Sequence, residues 1–281
     1  MISFGVSIFP TEYTLPPADF ARAVEERGLD SVFFPEHTHI PTCRRTPWPG
    51  GAELPKHYLH THDPFVALAA CAAVTSRIQL GFGVCLVTQR DPIVTAKQVA
   101  SLDLISGGRV IFGVGAGWNQ EEMENHGTPF KARWPILRER VLAMKAIWRE
   151  EEASFEGQYV RFDPLWSWPK PARAGGPPVW LGAKSKYTMD RIAEYGDGFM
   201  PIHGRQGEAS IAQLREACAR RGRDFSEITL ASFGPPPTEE ATSQCLSEGF
   251  THLIYVLPPA EPPKVLQKLD ALAALVTRMR G

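Results

Sequence analysis

Eight short apolar runs, each followed by an amphipathic helical segment, constrain this chain more than any other feature. The runs cover 2–8, 31–35, 78–86, 109–114, 179–182, 198–202, 228–233 and 253–257. They are β-rich and mostly unbroken, as strands buried on both faces should be. The helical segments fall at 18–27, 64–75, 92–104, 135–151, 185–195, 208–221, 239–248 and 263–278. Asp63-Pro64 and Asp91-Pro92 each place a good N-cap before a proline at the first helical position, and Gly28 is a C′ glycine. Eight strand–helix units predict an α/β fold: a closed (β/α)₈ TIM barrel, one domain over 1–281, rather than an open sheet. Two insertions interrupt the alternation. One is 43–63 after the second run; the other is 153–163, where FEGQYVRF reads as a small hairpin.

Composition narrows the function classes. The formal net charge is -1, so there is no basic stripe for a nucleic-acid backbone. No window approaches the ~18 uninterrupted apolar residues of a membrane span. The first residues, MISFGVSIF, read as a strand and not as a signal peptide. Cys43, Cys71, Cys85, Cys218 and Cys245 are odd in number, widely spaced and without a C-x-x-C pair. That pattern fits a reducing, cytoplasmic setting rather than a disulfide framework. Four of them read as small core residues; Cys85, inside the third run, stands apart.

In a barrel of this kind the chemistry sits at the C-terminal ends of the strands. The second run, SVFFP, ends on Glu36, His37 and His39. Three readings compete there: a metal site, a catalytic acid/base, or a structural histidine. His57, His60 and His62 add to the metal reading, but a zinc site needs three or four fixed ligands with partners behind them. The third strand end carries Gly83, Val84, Cys85 and Leu86, and the fourth Gly113, Val114, Gly115, Ala116, Gly117, Trp118 and Asn119. This glycine set lacks the G-x-G-x-x-G spacing, so a dinucleotide fold is not indicated. Gly182, Ala183, Lys184 and Ser185 open a helix with small residues, which suits a phosphate. Ser185 also reads as a plain N-cap. Arg90 reads as a partner of Asp63, and His203 as a residue near phosphate or substrate.

Three stretches carry a family resemblance: FFPEHTHI (33–40), DPFVALAACAAVTSRIQLGFGVCLVTQRDPIVTAKQVASLDLISGGRVIFGVGAGWNQEE (63–122) and PPVWLGAKSKYTMDRIAEYGDGFMPI (177–202). They are similar to the bacterial luciferase-like flavin-barrel superfamily, and more narrowly to its oxidoreductases that use the deazaflavin coenzyme F420. The resemblance implies hydride transfer between F420 and a small organic substrate. The alternative it leaves open is an FMN-dependent monooxygenase using reduced flavin and O₂. A non-catalytic flavin-binding barrel and a metal-dependent hydrolase are the remaining rivals. The resemblance further implies a non-proline cis peptide at Gly83-Val84 backing the ring, with Val84 and Leu86 against one face. It implies catalytic roles for His37 and Glu36, and cofactor contacts from Gly115, Ala116, Gly117, Trp118 and Asn119. Gly182, Ala183 and Ser185 would hold the phosphate. Glu36 stands where many relatives carry Asp, and Ala183 where many carry glycine. A homodimer through the helices near the second to fourth strands is implied as well. No metal is expected.

Overall fold

A computed structural model describes residues 2–183, 185, 187–204 and 208–281. The strands are β1 (Ser3–Ser7), β2 (Ser31–Phe34), β3 (Gln79–Phe82), β4 (Val110–Val114), β5 (Ala153–Glu156), β6 (Arg161–Leu165), β7 (Val179–Leu181), β8 (Gly198–Phe199), β9 (Thr229–Phe233) and β10 (His252–Val256). The helices are α1 (Pro17–Glu26), α2 (His57–His60), α3 (Pro64–Val74), α4 (Pro92–Ile105), α5 (Gln120–Asn125), α6 (Arg133–Arg149), α7 (Thr188–Tyr195), α8 (Glu208–Arg220), α9 (Glu239–Ser247) and α10 (Pro262–Arg280).

Eight strands close a parallel barrel in the order β1-β10-β9-β8-β7-β4-β3-β2, while β5 and β6 form the antiparallel hairpin predicted from FEGQYVRF. The (β/α)₈ expectation is met. Two helix starts follow the sequence logic closely. The Asp63 carboxylate accepts from the N–H groups of Phe65 and Val66, and that of Asp91 from Val94. Each cap satisfies N–H groups that a helix leaves without an internal partner.

Side chains alternate across the barrel wall with the strand period of two. Val32 and Phe34 belong to the core between strands and helices, whereas Phe33 joins Ile111, Trp180, Met200, Ala231 and Ile254 in a second buried cluster. Phe33 stacks on Trp180 at 6.0 Å between centroids, and β2 and β7 are not neighbours, so this contact crosses the barrel interior. Gly81 makes room for it, because a Cβ there would stand 2.2 Å from the Phe33 ring. Burying a side chain of this size contributes ~1.5–3 kcal/mol. Deeper in the same interior, the ring of His252 bonds Ser31 Oγ at 2.8 Å and stands edge-on to Trp180. The interior is therefore a packed plug, and the site must lie above it.

Three boundaries differ from expectation. The run 78–86 stops as a strand at Phe82, and its remainder turns inward through Gly83 and Val84 before a single bridge at Cys85. The run 198–202 keeps two strand residues and one bridge at Ile202. Helix α7 starts at Thr188 instead of 185: Ser185 heads a turn whose carbonyl accepts from Thr188 N–H, so it is not the N-cap. In all three the chain leaves regular structure at the same end of the barrel.

Candidate active site

A cavity of about 620 Å³ opens at that end, within the range of pockets for small molecules and cofactors. Every barrel strand contributes to its lining through its C-terminal end, from Ser7 at the end of β1, with Ile8 and Phe9 after it, to Phe233 and Val256, the last residues of β9 and β10. Its floor is apolar, made chiefly by Val84, Leu86, Ile202 and Phe233. The Gly83-Val84 peptide is cis, at the place the resemblance implies. Gly115 lets Val84 reach forward, since a Cβ at 115 would stand 2.5 Å from Val84 Cγ2.

His37 lines the cavity, and its Nδ1 lies 2.8 Å from Glu122 Oε2. The His37 side chain is 6% exposed and that of Glu122 0%. The other Glu122 oxygen accepts from Thr38 N–H at 3.2 Å. Since Nδ1 is engaged, Nε2 is the ring nitrogen left to meet another partner. Asn119 caps α5 by accepting from Glu122 N–H at 3.4 Å, which sets the turn that carries Glu122. Nothing in the motif Gly-Trp-Asn-Gln-Glu-Glu points to Glu122 before the fold brings β2 and β4 together.

Glu36 also borders the cavity, but its carboxylate is committed elsewhere. One oxygen accepts Leu86 N–H at 2.6 Å; the other accepts Arg90 Nε at 2.6 Å. Arg90 also pairs with Asp63 at 2.6 Å, the partner expected for it. Glu36 thus ties the end of β2 to the segment after the cis peptide and so holds Val84 and Leu86 in place. Burial alone would favour a neutral Arg90, but the Glu36 and Asp63 carboxylates outweigh it and drive its pKa up.

Glu121, beside Glu122, fastens the first insertion. It accepts from Arg45 N–H, Thr46 N–H and Thr46 Oγ. Burial raises its pKa, yet these donors prevail and bring it to about 2. The fastened loop carries Trp48 to the cavity, where Tyr58 packs between Trp48, Trp118 and His37 with centroids 5.1–6.3 Å apart. An aromatic wall therefore faces His37.

The remaining candidates separate. Ala116, Gly117, Trp118, Gly182 and Ala183 line the cavity; Cys85 and Asn119 do not. Cys85 is fully buried with its thiol against Glu36, and burial together with that negative charge pushes its pKa well up. Asn119 is 1% exposed and serves the cap, with Nδ2 unpartnered. Lys184 lies outside the described residues. Ser185 Oγ accepts from Tyr187 N–H and from Arg191 at 3.4 Å, and that arginine was not singled out from the sequence. His203 approaches Ser232 and Cys245 rather than the cavity. His60 pairs with Glu12, and among the described residues no group of three or more His, Cys, Asp or Glu side chains is placed to hold a metal.

The arrangement is that of a closed parallel barrel with a buried acid–histidine pair beside a cavity at the C-terminal ends of its strands. The chain matches the Luciferase-like monooxygenase family over residues 16–275 and belongs to it. It is 37% identical over 276 residues to an uncharacterized protein of Mycobacterium tuberculosis, covering 96% of this chain and 97% of that one. It is 32% identical over 221 residues to the F420-dependent glucose-6-phosphate dehydrogenase of Kineococcus radiotolerans, covering 75% of this chain and 60% of the relative. Among solved structures, the monooxygenase RslO1 from Streptomyces bottropensis superposes with a TM-score of 0.78 at 18% identity, over the whole of both chains. That last likeness concerns the fold.

Proposed function

We propose that this protein is an F420-dependent oxidoreductase that moves a hydride between the deazaflavin and a small organic substrate. The observation that carries the reading is His37, which lines the cavity together with Val84 and Leu86 and has its Nδ1 tied to Glu122. The cavity suits a tricyclic ring: its floor is apolar, and the missing Cβ at Gly115 lets the Val84 side chain take its place in that floor. Val84 and Leu86 would support one face of the ring, and Gly182, Ala183 and Ser185 its phosphate. When bound, F420 supplies a carbon centre that accepts or donates hydride, chemistry no side chain offers.

The residues of this chain do the rest. Glu122 fixes the His37 tautomer and offsets the positive charge the ring carries once protonated, a division of labour seen wherever a carboxylate backs a catalytic histidine. His37 Nε2 then donates a proton to, or takes one from, the substrate oxygen as the hydride moves. Tyr58, Trp48 and Trp118 exclude water and favour a substrate with an apolar body. Glu36 positions the floor and does not touch the reacting atoms. The exposed apolar side chains Val66 on α3 and Val94 and Ile105 on α4 support a homodimer through these helices.

A second reading, an FMN-dependent monooxygenase using reduced flavin and O₂, is favoured by the family's description. Tryptophan quenching by F420 and, separately, by FMN tests both. Tight F420 and weak FMN binding supports the first reading; the reverse overturns it in favour of the second, and O₂ uptake coupled to product would then follow.

A further inference from the structure

Two guanidinium groups stand beside Trp134, a residue of the cavity lining. Arg133 opens α6 and Arg191 lies on α7. Both stand over the ring of Trp134, at 5.9 and 4.1 Å from its centroid, and Trp134 lines the cavity. Arg191 reaches Ser185 Oγ at 3.4 Å. Arg133 donates from Nη1 to the Phe130 carbonyl at 2.9 Å, while its Nε is buried and unpartnered. Among the described residues neither forms an ion pair. The acid in the first turn of α7, Asp190, is bound to Arg220. Helix α6 has no side-chain cap and no acid in its first turn, so its positive end adds to the field. Two like charges held together at the cost of mutual repulsion and lost solvation call for an anion. Burial and then Arg191 pull the Arg133 pKa below its ordinary value, as such crowding requires.

Resting on the F420 reading, we infer that Arg133 and Arg191 form a two-charge clamp on Trp134 that holds the anionic side chain of the cofactor. Arg191, beside Ser185, takes the phosphodiester; Arg133 takes a glutamate carboxylate further along. A guanidinium suits both, because its planar fork matches carboxylate and phosphate oxygens alike. The clamp gives the protein a means to tell F420 from FMN, whose side chain ends at the phosphate.

The test compares three ligands by calorimetric titration: F420 with its glutamates, the same molecule without glutamates, and the phosphate-free deazaflavin riboside. Wild-type protein should bind them in that descending order, with about tenfold per step, the effect of one ~1.4 kcal/mol contact. Arg133→Gln should abolish the first step and leave the second; Arg191→Gln should abolish the second. Arg133→Lys should restore most of the first, which a loss of folding would not allow. If Arg133→Gln leaves the glutamate step intact, or weakens all three ligands alike, the clamp is wrong while the F420 reading stands. If wild-type protein binds none of the three, the F420 reading fails and the clamp falls with it.

Discussion

His37 Nδ1 and Glu122 Oε2 lie 2.8 Å apart across 85 residues of chain, both side chains nearly sealed from solvent. A buried carboxylate with this partner orients the ring, and in the proposed function Nε2 is then the nitrogen that handles the proton. His37→Asn should lower kcat by about 10²–10⁴, the usual weight of a positioned acid/base group, with F420 affinity little changed. Glu122→Gln should lower kcat by a smaller factor, on the order of 10–100, through loss of ring orientation. Steady-state kinetics beside a cofactor titration checks both; normal turnover in His37→Asn sinks the catalytic role.

Glu36 and Arg90 form a buried pair beneath the cavity. Arg90→Leu leaves the Glu36 carboxylate without its guanidinium, an arrangement that costs about 3–5 kcal/mol when a buried pair is broken. Thermal unfolding should move down by several degrees, and cofactor affinity should fall because Leu86 shifts. The double variant Glu36→Gln/Arg90→Leu should recover part of the stability. Equal melting of wild type and Arg90→Leu would show that the pair carries no such weight.

His252 predicts how the barrel responds to acid. Burial inside the barrel holds its pKa down to about 3, against about 6.5 in the unfolded chain. Between those values the unfolded chain takes up a proton that the native state refuses. Stability is therefore full above about pH 6.5 and falls as the pH drops toward 3, by up to ~1.4 kcal/mol per pH unit from this one group. His252→Gln should flatten the curve by about that slope between roughly pH 6 and 4.5, whatever its effect at neutral pH. Urea unfolding across the range measures it, and parallel curves would contradict the assignment.

Val66 and Val94 are 71% and 55% exposed on adjacent helices α3 and α4, an apolar display with no partner in the monomer. Val66→Asp/Val94→Asp should convert a homodimer to monomer in sedimentation velocity, with the barrel's circular dichroism unchanged. A wild-type protein that is monomeric at micromolar concentration would remove the dimer from the proposal.

The barrel itself was legible from the chain, and the reasons are local. Strand runs such as SVFFP and helix openings such as Asp63-Pro64 carry their structure in neighbouring residues, so period and capping expose them. The cis peptide, and the places of His37, Gly115, Gly117 and Gly182 around the cavity, were legible through resemblance. What resisted was everything set by two distant segments at once. Glu36 reads as a catalytic acid by position, yet Arg90 and Leu86 N–H use both its oxygens. Cys85 and Asn119 sit within cavity-forming motifs but face the packing and the α5 cap. Glu122 and Arg191 carry no local signal, since an acid or a base on a helix face is ordinary until a partner is brought within reach. The order of strands and the end that bears the site follow from sequence alone, because short-range sterics and hydrophobic period determine them. The pairing of charges around the cavity was decided by barrel closure, which chooses neighbours by geometry and not by distance along the chain.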